Sequence, residues 1–207
     1  AQVVGFRADE RADGQGKAGI SFLMTTSVGA RPMNDEPRLG GWEQSSLRQW
    51  MATELPSLMP ADLVNHVRPV LKTTNNVGAV SATDTAELTQ TEDAFWVASM
   101  SELCGYQGPE TFGEGYKYLS HLYSDEGAQY QVFSEQGVSG LTANDMLIRE
   151  VGGEVVPWWE RTPSADGSLG KASTEFNRVV LDGNAFCGTT PGDAPDVETH
   201  VMPGFCL

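Results

Sequence analysis

Few residues in this 207-residue chain are of a type that does covalent or acid–base chemistry. The three histidines, His66, His121 and His200, fall in a predicted helix, a loop and a strand edge. None accompanies a Ser or Cys in a nucleophile-elbow pattern such as G-x-S-x-G. No triad can be assembled, and the chain reads as a non-enzyme. The three cysteines, Cys104, Cys187 and Cys206, form no C-x-x-C and have no His at zinc-finger spacing, which argues against a structural zinc. Cys187 and Cys206 can form a disulfide if their strands lie side by side, leaving Cys104 as the odd thiol. The competing reading, which is favoured, makes all three small buried apolar residues. Acidic clusters stand at Asp125-Glu126 and at Asp193, Asp196 and Glu198. Carboxylates of this kind bind Ca²⁺, so a structural calcium at the second cluster is a minor expectation, but charge runs are more often solvated surface. No other cofactor is expected.

The stretch with the best mixture of binding groups is 160–186. It offers Glu160, Asp166, Glu175, Asn177, Arg178, Asn184 and Phe186 around the Gly-rich "SADGSLGKAS". Acid, base, amide and aromatic on a loop and strand suit a ligand surface carried by a rigid scaffold, and these seven are the candidate ligand-binding residues. The bland alternative is an ordinary exposed hairpin. Arg48 and Arg161 lie inside motifs otherwise made of core residues, so their expected role is structural, as guanidinium groups paired with carboxylates or carbonyls.

These residues need elements to position them. The chain is 40% apolar with 23 Gly and 11 Pro, which suits one globular domain, residues 1–207, rich in irregular backbone. A net charge of -15 with only 13 Lys and Arg excludes nucleic acid as a natural partner. No apolar stretch approaches a membrane span. The chain starts at Ala1 without a basic and apolar leader, so a mature form or an excised module is expected.

Residues 19–24 read as an edge strand within an N-terminal strand-and-loop region, 1–39. In "GGWEQSSLRQWMATEL" (40–55), Leu47, Trp50 and Met51 fall at i, i+3 and i+4, predicting a helix over 43–54 that Pro56 ends. Trp42 and Trp50 belong to its core-facing side. A short helix with Asp62 in its first turn precedes an extended segment from Arg68-Pro69. Residues 77–93 read as a loop, and the run Phe95-Trp96-Val97 as a strand buried on both faces. Tyr116, Tyr118, Tyr123 and Tyr130 mark a region of short helices and turns. Three strands are expected within "EVVPWWERT", "STEFNRVVLDGNAFCG" and "ETHVMPGFC", with a turn at Asp182-Gly183-Asn184.

The segments "GGWEQSSLRQWM", "DAFWVASMSEL", "WWERTP" and "VMPGFCL", in that order, resemble a bacterial domain family of unknown function common in secreted and surface proteins of gut bacteria. The resemblance covers 40–207, the family core. That family is similar to the C-type-lectin-like fold, which also includes formylglycine-generating enzymes and the variable proteins diversified by retroelements. The resemblance implies an α+β, C-type-lectin-like (formylglycine-generating-enzyme-like) domain with much irregular loop structure. It also implies a variable ligand-binding region over 157–207, one of Trp158 and Trp159 plugging the core beneath the loops, and the other packing against the 43–54 helix.

The function implied is a receptor- or adhesin-type binding module, on a cell surface, secreted or on a phage particle. Its ligand would be a protein or glycan, and a retroelement would diversify it. The alternatives are a catalytic domain of formylglycine-generating type or acting on surface polymer, and a structural module of a larger surface protein. The surroundings of Cys187 and Cys206 do not match the reactive cysteine pair of the enzymes. The Glu-Pro-Asn and Trp-Asn-Asp motifs of calcium-dependent lectins are absent as well.

Overall fold

The computed structural model describes residues 1–35, 41–75, 88–105, 126–139, 142–163, 175–185, 188–191 and 199–207. It is mixed α+β, with short helices around several small sheets. The first sheet has the order β1-β2-β12, from β1 (Gln2–Phe6), β2 (Ile20–Leu23) and β12 (Gly204–Cys206). Both pairings are antiparallel, so the two ends of the chain meet on β2.

The second sheet has the order β10-β9-β8-β11-β3. Its strands are β3 (Ala30–Arg31), β8 (Trp158–Pro163), β9 (Glu175–Val179), β10 (Gly188–Pro191) and β11 (Thr199–His200). Two hairpins complete the strands, β4 (Val70–Asn75) with β5 (Leu88–Asp93), and β6 (Glu150–Val151) with β7 (Glu154–Val155).

The helical segment after Gly41 is built from local signals. A 3-10 turn over Trp42–Gln44 leads into α1 (Ser46–Thr53), whose N-cap Ser45 accepts from the Arg48 amide. Leu47, Trp50 and Met51 form its buried face, as their spacing predicts. Pro56 does not stop the helical run. It sits in the first turn of α2 (Leu55–Leu58), where its missing N–H costs nothing, and α3 (Ala61–His66) follows.

Two expectations are corrected. Phe95-Trp96-Val97 is not a strand, for only Trp96 makes a bridge, to Gly204, and the chain then enters α4 (Met100–Cys104). Ser99 and Glu102 form a reciprocal capping box there, which fixes a helix start where the apolar run suggests continued extension. Residues 88–93, expected as loop, form β5, whose burial alternates at Thr91 and Asp93. A Cβ at position 204 would stand 2.7 Å from the Trp96 ring, so only glycine lets this strand approach the indole. Gly183, at φ +77°, makes the tight turn after β9 expected at Asp182-Gly183-Asn184.

All six side chains of β8 are buried. Strand alternation therefore sends its two Trp into different cores. Trp158 joins a cluster with Leu103, Phe133 and Leu147, and its indole N–H donates to the Leu147 carbonyl. Trp159 joins the cluster of Trp42, Leu47, Trp50 and Met51, and donates to the Arg31 carbonyl. The paired Trp thus sew both cores to one strand.

Candidate functional site

The functional geometry centres on a set of buried charges that four distant chain segments bring together. Asp9 follows β1, Lys72 lies on β4, Glu102 on α4 and Arg161 on β8. Lys72 Nζ donates to Asp9 Oδ1 (2.5 Å), Glu102 Oε1 (2.8 Å) and the Tyr130 hydroxyl (2.8 Å), which uses all three ammonium protons. The ammonium also lies 4.1 Å from the centre of the Trp96 ring, a cation–π contact.

Arg161 forks onto Glu102, Nη1 to Oε2 at 2.5 Å and Nη2 to Oε1 at 3.0 Å. It donates further to the carbonyls of Thr73, Val97 and Glu126. With the Ser99 amide on Oε2, Glu102 accepts four hydrogen bonds, the full capacity of a carboxylate. Two cations and two anions leave the centre formally neutral.

The pKa values follow from this pairing. Burial pushes the Glu102 and Asp9 carboxyls up, but the neighbouring cations outweigh it and hold both below their ordinary values. Arg161 and Lys72 act on Glu102; Lys72, with hydrogen bonds from Ser21 and Cys206, acts on Asp9. Arg161 is raised, because the Glu102 charge and hydrogen bonds exceed the desolvation that would lower it. Burial and the charges of Glu102 and Asp9 raise Tyr130 well above 10.0, so it stays a phenol. Cys206 is pushed up to about 12 by burial and the Asp9 charge.

Over this centre opens a cleft of about 320 Å³ between β1, β4 and the segment 126–131. Asp9, Lys72, Glu102 and Tyr130 lie at its buried floor, and Glu10, Lys17, Gln90, Gln129 and Gln131 line the walls. Phe6, 64% exposed, stands between the cleft and a neighbouring groove of about 280 Å³ that Val3, Val4 and Val132 make apolar.

Three of the seven expected ligand-binding residues are interior. Glu160 is 0% exposed, and Asn177 and Asn184 are buried, so these three belong to the interior and not to a surface. The reason is that Glu160 and Asn177 lie on β8 and β9, inside the five-stranded sheet, and Asn184 in the turn after β9, where its carbonyl accepts from the Val180 amide. Arg178 is half-buried in β9, and Glu175 opens that strand. Asp166 and Phe186 lie outside the described residues, as do His121, Asp125 and the cluster Asp193, Asp196 and Glu198.

Among the described residues no group of three or more His, Cys, Asp or Glu is placed to hold a metal ion. Cys206 is a free thiol and not half of a bridge; its Sγ lies 3.3 Å from Ser21 Oγ and 3.5 Å from Asp9 Oδ2, while Cys187 is outside the described residues. Cys104 is buried as well, its Sγ donating to the Met100 carbonyl at 3.1 Å.

The residues expected to be structural are built in. Arg48 pairs with Asp93 (Nε to Oδ1, 2.7 Å), whose other oxygen accepts from the Trp42 indole at 3.0 Å. Trp50 packs beneath the Arg31 guanidinium, 4.0 Å from its ring centre. Sequence reasoning missed Asp9, Lys72, Glu102 and Tyr130. Glu102 alone carried a local signal, the S-x-x-E box; Lys72 sits in an ordinary strand and declares nothing until Asp9 closes on it from 63 residues away.

Glu160, although next to Arg161 in sequence, has no hydrogen-bond partner on either oxygen among the described residues. Burial first, then the nearby Glu126 charge, raises its pKa well above 4.5, against a weaker opposing effect of Arg161. Burial without donors thus disfavours its charged form.

These features define a class: a small-sheet α+β domain knotted by buried ion pairs, with a polar cleft over the knot. A family model matches residues 18–207, and the chain belongs to that family, described as "Domain of unknown function (DUF6273)". No curated protein and no solved structure matches the chain. Among the described residues, no helix is long and apolar enough to cross a membrane.

Proposed function

We propose that the chain is a ligand-binding module of receptor or adhesin type, not an enzyme, on a C-type-lectin-like scaffold at a cell surface, secreted or on a phage particle. Its ligand is a glycan or protein segment held in the cleft between β1, β4 and residues 126–131. The observation that carries this reading is Phe6. Phe6, 64% exposed, stands beside the exposed Val3 over the apolar groove and at the rim of the polar cleft, an apolar patch of the kind that marks interaction sites. Exposed aromatic, amides and charges of both signs around a preformed hollow suit a polyhydroxylated or peptide ligand. The floor beneath, made of saturated ion pairs, is rigid and supports the recognising side chains from below.

Diversification by a retroelement is kept as part of the proposal on the motif resemblance, with the positions that vary moved off Glu160, Asn177 and Asn184. A near-copy of the DNA encoding the C-terminal region, differing mainly at adenines, is its test. The binding site itself is tested by screening immobilised glycans and surface proteins with the wild type and with Phe6→Ala and Gln90→Ala. Both variants should melt within about 0.5 kcal/mol of the wild type, as exposed substitutions do, and lose most of the binding found. Unchanged binding in both, with loss on replacing 164–174 instead, would return recognition to the loop region.

A further inference from the structure

We propose that Lys72 and Asp9 condense in the folded protein into an intramolecular amide, with Glu102 as the carboxylate that manages the proton. The pair is held as reactants would be. Lys72 Nζ is in direct hydrogen-bond contact with Asp9 Oδ1, and both groups are buried. Neither can swing away, because Lys72 is 1% exposed beneath the Trp96 ring and Asp9 is tied by Ser21. Such fixed contact replaces a bimolecular encounter with an intramolecular one, the condition under which effective concentrations reach roughly 10⁵–10⁸ M.

The surrounding groups supply each proton step. A proton passes from the Lys72 ammonium to Asp9, giving a neutral amine and a neutral acid; the remaining Glu102–Arg161 pair keeps the centre neutral, so no unpaired charge is left in the interior. The amine lone pair forms the N–C bond at Asp9 Cγ. Negative charge developing on Oδ2 meets the Ser21 hydroxyl at 2.5 Å and the Cys206 thiol at 3.5 Å, and the latter, pushed up to about 12, remains protonated. Glu102 Oε1, 2.8 Å from Nζ, takes the proton that the new N–C bond makes acidic.

The Tyr130 hydroxyl lies 2.8 Å from Nζ and 3.2 Å from each Asp9 oxygen, the position from which a proton is delivered to Oδ1. The C–Oδ1 bond breaks and one water leaves, and the proton held by Glu102 passes to the Tyr130 oxygen, which restores the carboxylate and the phenol; the balance is carboxylic acid plus amine to amide plus water, with no change of oxidation state. The water has an exit, because Asp9, Lys72 and Tyr130 all line the cleft. Afterwards the amide N–H faces Glu102 and the carbonyl faces Ser21, so every polar atom keeps a partner. The link would staple the segment after β1 to β4 across 63 residues of chain.

The test is the intact mass of the denatured wild-type protein together with its protease map. The expected mass is one water below that of the sequence, with a branched peptide joining the fragments that contain Asp9 and Lys72. Lys72→Met, which keeps the stem and removes the nucleophile, should restore the sequence mass, folded or not. Tyr130→Phe, which preserves the ring, should leave a larger unlinked fraction, at the full sequence mass, in protein collected soon after synthesis. A wild-type mass equal to the sequence, with Asp9 and Lys72 recovered on separate linear peptides, overturns the proposal; so does a water loss that persists in Lys72→Met.

Discussion

Glu102 and Glu160 are both inaccessible to solvent, at 3% and 0% exposure, and both lie within reach of the Arg161 charge, yet they are opposite kinds of acid. Glu102, in the charge centre, accepts four hydrogen bonds and its pKa is lowered despite burial. Glu160, on β8 itself, accepts none from the described residues and its pKa is raised. What separates the two regions is the geometry of the partners and not depth: the Arg161 fork points at α4, and residue 160 is left beside its edge. Burial sets the cost of a charge, and only aimed donors repay it.

The largest expected effect breaks the paired side of this contrast. Arg161→Met removes the cation and leaves Glu102 to Lys72 alone, while stripping donors from the carbonyls of Thr73, Val97 and Glu126. Truncating one partner of a buried pair costs about 3–5 kcal/mol, a large share of the ~5–15 kcal/mol that holds a domain folded. Denaturant melts should show the variant unfolded or close to it at neutral pH. A wild-type-like midpoint would mean that the centre carries no structural load.

A smaller effect of opposite sign probes the unpaired side. Glu160 has its folded pKa raised above the ordinary 4.5, so the stability it contributes is present below that value and lost as pH climbs toward the folded pKa. Glu102 has its folded pKa lowered, so its contribution is present above 4.5 and lost as pH falls through the folded value. Glu160→Gln should therefore match the wild type in mild acid and exceed it at neutral pH, because the amide has no charged form to bury. Thermal melts across this range measure the divergence. A variant less stable than the wild type at neutral pH would show that the Glu160 carboxylate is a needed charge.

How much of this was legible beforehand divides along the same line. Residues whose role is set by near neighbours could be read: the i, i+3, i+4 face of Leu47, Trp50 and Met51, the turn at Gly183, and the alternation that forces Trp158 and Trp159 apart. Arg48 and Arg161 could be assigned to the interior because the residues around them are apolar. Roles set by chain closure could not. Lys72 alternates with its strand neighbours like any exposed polar residue, and only the return of the N-terminal segment, where Leu71 donates to the Glu10 carbonyl, carries Asp9 over it. Three polar residues of the stretch 160–186 proved interior for a related reason. Polar residues at Glu160, Asn177 and Asn184 resemble an outer face until the sheet partners that cover them are in place.

The contrast between the two glutamates is reached most directly by carbon-detected NMR of the side-chain carboxyl groups through a pH titration, with Glu160→Gln to assign one resonance and Glu102→Gln, where it folds, the other. The signal lost in Glu160→Gln should titrate well above 4.5 in the wild type, and the Glu102 signal should stay ionised below it. Both resonances titrating together near their ordinary value would contradict the account, since burial without partners and burial with them would then be equivalent in this protein.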